Sequence, residues 1–317
     1  MAILKITGTI FRSYITRRLL MAPLVMLVML SVTFFLIRLA PGGPFSSERD
    51  VSPAVEQALR ERYALDQPLP MQYWSYLRGV CRGDLGPSIR HRGRDVNTIV
   101  ADHLPVSFLL GGLALSLAVC VGVSAGFLAA LKARSWIDYT AMGACVLGIS
   151  LPAFVIGPLL QAFFARYLHW FPVSGSGSPK HVVLPALALA SPFAARFARL
   201  ARAGLLEVLS QDFIRTARSK GLRERVVLLR HAVRGGLLPV VGYLGPAIAS
   251  ITTGSLVVEK IFGIPGLGRE FVESALSRDY MLVMGTVVVY GGMIVLCNVA
   301  TDAFHACLDP RMRERNG

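Results

Sequence analysis

"LLMAPLVMLVMLSVTFFLI", Leu19 to Ile37, carries no charged side chain and follows Arg17-Arg18 directly. As a helix it comes close to spanning the ~30 Å of a bilayer's hydrocarbon core. It is longer than the apolar segment of a typical signal peptide. It ends in Arg38-Leu39-Ala40-Pro41-Gly42-Gly43-Pro44, with no small-x-small cleavage site, so an uncleaved first membrane span is expected.

The rest of the chain repeats the pattern. Hydrophobic residues make up 54% of the 317 residues and charged residues 16%. A soluble domain has no means of burying that much apolar surface. Apolar runs predict six spans, at about 19–38, 104–131, 137–165, 182–203, 236–257 and 282–306. Lys132-Ala133-Arg134-Ser135-Trp136 is expected to form a tight hairpin turn between the second and third. The predicted fold class is therefore an all-α polytopic membrane protein. The formal charge of +14 does not indicate nucleic acid in such a chain, because the position of the charges decides their meaning. Of the five cysteines, Cys120, Cys145, Cys297 and Cys307 fall in apolar runs and Cys81 in a polar one; all are expected to pack. No CxxC or histidine-rich spacing suggests a metal.

Positive charge orients the bundle. With a cytoplasmic N-terminus, that side receives Arg17, Arg18, Lys132, Arg134, the Arg/Lys residues from Arg196 to Arg234, and Arg311, Arg313 and Arg315. The opposite side has Arg166, Lys180, Lys260, Arg269 and Arg278, plus a long first loop, about 41–103, in which basic and acidic residues alternate. Both termini are thus expected in the cytoplasm, with the large first loop periplasmic. Pro152, Pro158, Pro185, Pro192 and Gly245-Pro246 interrupt spans. Lipid tolerates such breaks where neighbouring helices or a wet cavity satisfy the freed backbone groups. Gly122 and Gly126 form a small-xxx-small pair that permits close helix approach.

No G-x-x-x-x-G-K-[ST], H-E-x-x-H or G-x-S-x-G sequence is present, so the chain offers no nucleotide cradle or hydrolytic centre of those kinds. Acidic residues deep in the spans, of the kind an ion-coupled carrier needs, are scarce. One face of the last span carries Asn298, Thr301, Asp302 and His305; the polar cluster Asn298, Asp302 and His305 reads either as a structural contact or as a gate.

"SQDFIRTARSKGLRERVVLLRH", Ser210 to His231, interrupts the apolar pattern on the cytoplasmic side. A short helix starting at Ser210 is expected, with Phe213, Ile214 and Ala217 on an apolar edge and Arg215, Arg218 and Lys220 elsewhere. Gly221 stands where a helix end favours positive φ. A second amphipathic stretch, Val226 to Leu229, leads towards the fifth span. By its residues alone this elbow reads either as a helix lying on anionic lipid or as a handle for a partner protein.

"DFIRTARSKGL" followed by "RHAVRGGLLPVV" resembles the cytoplasmic loop of permease subunits in binding-protein-dependent ABC importers, specifically the dipeptide/oligopeptide branch. Arg215-Thr216-Ala217 stands where the general family has Glu-Ala-Ala, a departure the peptide branch shares. "RYALDQPLPMQYWSYLRGVCRGDLGPS" (Arg62 to Ser88), "VVEKIFGIPGLGREFVESALSRDY" (Val257 to Tyr280) and "LDPRMR" (Leu308 to Arg313) are similar to further segments of that branch. The resemblance implies three segments: 1–103, the first span and periplasmic loop; 104–310, the importer core of spans two to six with a coupling helix at about 210–221; and 311–317, a short cytoplasmic tail. It implies an inner-membrane subunit forming half of a pathway for short peptides, with nickel, glutathione or another small solute as alternative cargo.

By the same resemblance the partners are a second homologous permease, two ABC ATPase subunits that bind ATP and Mg, and a substrate-binding protein, without nucleic acid. This chain itself would be no enzyme and hold no cofactor. Phe213, Ile214, Arg215, Ala217, Arg218 and Gly221 would form the ATPase-docking helix. Tyr63, Tyr73, Trp74 and Tyr76 of the first loop suit either a protein contact or the membrane interface. A self-sufficient channel or carrier is the rival reading, and it leaves the basic elbow unexplained.

Overall fold

A computed structural model describes residues 2–39, 66–91 and 93–308, with side chains over 20–39, 66–91, 93–252 and 255–301. The described elements are helical. The first is α1 (Ala2–Leu39), followed by α2 (Leu69–Cys81), α3 (Val96–Leu131), α4 (Trp136–Ser150) and α5 (Ala153–Leu160). A wide π-turn, Gln161–Tyr167, extends α5 before α6 (Lys180–Leu209) and the short α7 (Asp212–Ser219). Then come α8 (Glu224–Gly236, containing a second π-turn, Val227–Ala232), α9 (Leu238–Phe262), α10 (Leu267–Ser277) and α11 (Tyr280–Leu308).

Four of these cross a membrane by length and composition alone: α1 over Leu20–Leu39, α3, α6, and α11 over Tyr280–Thr301. Counting the bent pairs α4 with α5 and its π-turn, and α8 with α9, raises the number to six among the described residues. The third predicted span, 137–165, is therefore not one helix. Its halves meet at 106°. Pro152 has no N–H to continue the ladder, and its ring pushes Leu151 into extended backbone at φ −92°, ψ 118°. At the start of the fifth span the bend is 44°, and Pro239 sits in the first turn of α9, where a missing N–H costs nothing. The second span begins earlier than its apolar run, at Val96, because Val96, Ile99 and Val100 are buried.

The described residues form two compact units, one from those within 2–107 and 265–299, the other from 108–264 and 300–308. In the first, the α2 aromatics pack on α1. Tyr73 Oη lies 2.6 Å from Ser31 Oγ, and the Tyr73 ring stacks on Phe35. Arg38, near the end of α1, donates to Gln72 Oε1 from Nε (3.1 Å) and Nη2 (3.0 Å), and its guanidinium lies 3.6 Å over the Phe34 ring. Asp279 caps α11: its Oδ1 accepts from the Leu282 N–H at 3.1 Å, while Oδ2 accepts from Ser88 Oγ and the Arg90 N–H.

In the second unit α6 is the central helix, packed against α4, α5, α8 and α9. Gly122 and Gly126 of α3 face it so closely that a Cβ at either position would strike the Ala194 or Ala198 carbonyl. The small-xxx-small pair read from the sequence is thus a real close approach. α4 is pinned to α6 by Asp138, only 2% exposed, which accepts from Arg202 Nε at 2.6 Å and Nη2 at 2.7 Å and from the Arg134 N–H at 3.0 Å. Arg134 itself stands at φ 64°, so the carboxylate also holds the strained hairpin turn. Cys145 is buried and Cys297 half-buried, but Cys81 and Cys120 are exposed, so the expectation that all the cysteines pack fails at those two; the Cys307 side chain lies outside the described residues.

Replacing Gly126 with Leu forces a side chain into the Ala198 carbonyl, with an expected cost of about 1–3 kcal/mol. Gly112→Leu enters open space and should be near neutral. Thermal unfolding in detergent distinguishes them: the first variant should melt several degrees lower, the second unchanged. For the ion pair, Arg202→Ala leaves the Asp138 carboxylate without its cation and should lower the melting temperature. Asp138→Asn leaves Arg202, partly exposed, able to reach water, and should cost less. Equal melting temperatures for those two variants would contradict this account.

Candidate functional site

The elbow between α6 and α9 is built from two short helices, α7 and α8. Ser210 does not open α7 as expected; its hydroxyl donates to the Glu207 carbonyl at 2.7 Å and closes α6 instead. Gln211, at φ −75°, ψ 151°, precedes α7 without a side-chain cap, so Asp212 in the first turn and Arg218 in the last are what complement the helix dipole. At the other end the Gly221 N–H donates to the Arg218 carbonyl (2.9 Å) and the Leu222 N–H to the Ala217 carbonyl (3.4 Å). This is a Schellman closure, and it needs the positive φ that Gly221 adopts at 75°.

The predicted docking residues divide into two groups. Ile214 (0% exposed) and Ala217 (6%) point into the protein, in one cluster with Ala130 of α3, Leu205 of α6 and Val227 and Ala232 of α8. Phe213 is 51% exposed and points away. The shared apolar edge of Phe213, Ile214 and Ala217 is thus split: a helix one turn wide has room for an inward side and an outward side, and the core takes the first. Arg215 is exposed, paired only with Asp212 beside it at 3.5 Å. Arg218 folds back, donating from Nε (3.2 Å) and Nη2 (2.6 Å) to the Glu224 carboxylate and clamping α7 to α8.

Asn298 is exposed on α11; the side chains of Asp302 and His305 lie outside the described residues. Of the first-loop aromatics, Tyr76 is buried and Tyr73 half-buried, both packed against the first unit's own helices. Trp74, with Arg78 over its ring at 5.7 Å, is the exposed one, and Tyr63 lies outside the described residues. Burial drives the Tyr76 phenol well above its ordinary pKa, and its Oη has no hydrogen-bond partner among the described residues. This residue serves packing.

α10 leaves Leu276 76% exposed and Phe271 and Val272 half-buried, while Leu267, Gly268, Glu270 and Ser274 are buried. The reason is polar. The Glu270 carboxylate sits between two imidazoles, His91 Nε2 at 3.4 Å and His103 Nε2 at 3.5 Å, with His103 Nδ1 fixed at 2.7 Å from the Ile99 carbonyl. Sequence reasoning missed His91, His103, Glu270, Asp138 and Asp279. Each pairs with a residue far along the chain; a lone acid beside an apolar helix start was the one local clue, and it applied only to Asp138 and Asp279.

Comparison with known proteins agrees with this architecture. Residues 122–314 match the family described as binding-protein-dependent transport system inner membrane component, and residues 11–110 match the N-terminal part of such components. The chain is 45% identical over 302 residues to the oligopeptide transport system permease protein OppB of Escherichia coli (strain K12), covering 95% of this chain and 99% of that protein. It is 43% identical over 300 residues to the dipeptide transport system permease protein DppB of Bacillus subtilis (strain 168), covering 95% and 97% respectively. Among solved structures, an amino acid ABC transporter crystallised with histidines matches with a TM-score of 0.54 at 19% identity, covering 67% of this chain and 94% of that one, which is a likeness of fold. The chain belongs to the binding-protein-dependent transport system inner membrane components and is a multi-pass permease of the inner membrane.

Proposed function

We propose that this permease forms one half of the membrane pathway of an ATP-driven importer of short peptides. A second, homologous permease completes the pathway, two separate ATPase subunits bind and hydrolyse ATP, and a binding protein on the other face delivers cargo. The peptide assignment rests on the names of the oligopeptide and dipeptide permeases to which the chain is similar over nearly its whole length.

The observation that carries the coupling role is how α7 is anchored. Ile214 and Ala217 lock it into the cluster that holds Leu205 of α6 and Val227 and Ala232 of α8. Close-packed interiors transmit displacement rather than absorb it. A push on α7 therefore reaches α6 directly and α9 through α8. The outward side presents an aromatic knob, Phe213, flanked by Arg215 and Thr216. A bilayer surface would take up the apolar edge, but the core already occupies most of it, and one exposed ring beside cations suits a pocket on a protein better. Rocking of the bundle when the ATPases close then alternates the access of a central cavity.

Phe213→Asp tests the docking role without touching the core. The variant should stay in the membrane at normal yield, lose about 2 kcal/mol or more of ATPase affinity on co-purification, and abolish ATP-dependent uptake of a labelled tripeptide in vesicles containing the whole assembly. Full uptake with Phe213→Asp would refute the assignment. Ala217→Asp, at a buried position, should instead lower the yield of the folded permease itself.

A further inference from the structure

α6 is buried on nearly every side, yet one stripe of it is open: Arg196, Arg199, Ala203 and Glu207, spaced three or four residues apart, are exposed. The residues between them, Phe197, Ala198, Ala201, Gly204 and Leu205, are buried. α9 presents a matching stripe in the same unit, with Pro246 and Ser250 exposed and Tyr243 half-buried one turn before them. The two stripes are joined by a hydrogen bond from Arg196 Nη1 to Tyr243 Oη at 2.7 Å. The Tyr243 ring is itself held edge-on by buried Phe197, with centroids 5.4 Å apart.

Arg196 lies about 24 Å along α6 from Lys180 and about 20 Å from Leu209, at 1.5 Å per residue. That is hydrocarbon depth for a helix crossing a bilayer, so Arg196 belongs to the span itself and not to the cytoplasmic side on which charge counting placed it. An arginine there is costly against lipid and characteristically faces a water-filled path or an opposing charge. Among the described residues no carboxylate pairs with it. Arg202, two turns nearer the end of α6, is by contrast consumed by Asp138. The nearest acid on the open stripe, Glu207, is about 16 Å further along the helix. Tyr243 removes one guanidinium N–H from play and fixes the direction of the fork. The remaining donors are positioned for a planar two-oxygen anion.

We infer that Arg196, oriented by Tyr243 and supported by the charge of Arg199, contacts the C-terminal carboxylate of the cargo as it passes along the open face that α6 and α9 share. The inference rests on the peptide-importer reading. Every linear peptide, whatever its side chains, ends in the same carboxylate. A single arginine on the pathway wall therefore handles all of them without selecting sequence.

The test is uptake into proteoliposomes holding the intact assembly, for one labelled tripeptide as the free acid and as the C-terminal amide. Arg196→Gln should lower the acid's rate about tenfold and leave the amide's unchanged, so the acid-to-amide ratio falls by about tenfold. The ratio cancels any discrimination by the binding protein, which is the same in both assemblies. Arg196→Lys, keeping the charge, should restore most of the preference. Tyr243→Phe, which removes only the hydroxyl and preserves the ring contact with Phe197, should shift the ratio in the same direction by less, and stands in if Arg196→Gln fails to assemble. Equal loss for acid and amide would assign Arg196 to assembly with the companion permease and overturn the inference, as would no loss for either. If the wild-type assembly moves neither peptide in response to ATP, the importer reading itself fails, and the inference with it.

Discussion

The close approach of α3 to α6 is the constraint on which the second unit depends. Lipid offers apolar side chains nothing that another helix does not, so helices in a bilayer gain from contact only where they approach closely enough for dense packing. Gly122 and Gly126 allow that approach by removing the side chains that would stand between α3 and the carbonyls of Ala194 and Ala198. With α3 so near, α6 becomes the buried axis, and α4, α5, α8 and α9 arrange themselves around it. The ion pair between Asp138 and Arg202 then fixes the one neighbour, α4, whose short hairpin turn leaves it least freedom.

The same axis explains why a small elbow has mechanical meaning. α7 is only Asp212–Ser219, too short to be stable alone. It exists because Ile214 and Ala217 are packed into the cluster at the end of α6, because Gly221 closes its last turn, and because Arg218 ties it to Glu224. The packing reaches α3, α6 and α8, and the ion pair holds α8 a second time. An element held at several points moves with its neighbours or not at all.

Much of this was legible in the sequence. Apolar runs near the length of a bilayer gave the membrane spans, six when each bent pair counts as one, and Gly221 announced its own backbone angle. The family likeness of "DFIRTARSKGL" located the elbow. What was not legible had one cause: polar residues whose partners are distant in the chain. Glu270 is buried on α10 while Leu276 is exposed, because His91 and His103 surround the carboxylate. Periodicity joined Phe213 to Ile214 and Ala217, although the core takes only the last two. The break at Leu151-Pro152 was visible as a proline, but its size, 106°, is set by packing that no local pattern records.

α1 differs from the axis helix in kind. Leu20, Leu24, Val28, Val32 and Leu36 lie on its surface, and among its described side chains, 20–39, only Leu30 and Phe34 are wholly enclosed. A membrane helix that meets mostly acyl chains is held to a bulk property, greasiness, rather than to particular shapes. Drift among Leu, Val, Met and Phe along α1 should therefore be nearly free over evolutionary time, with Leu30, Phe34 and Arg38 as fixed points. The helices around α6 must change, if at all, in compensating pairs.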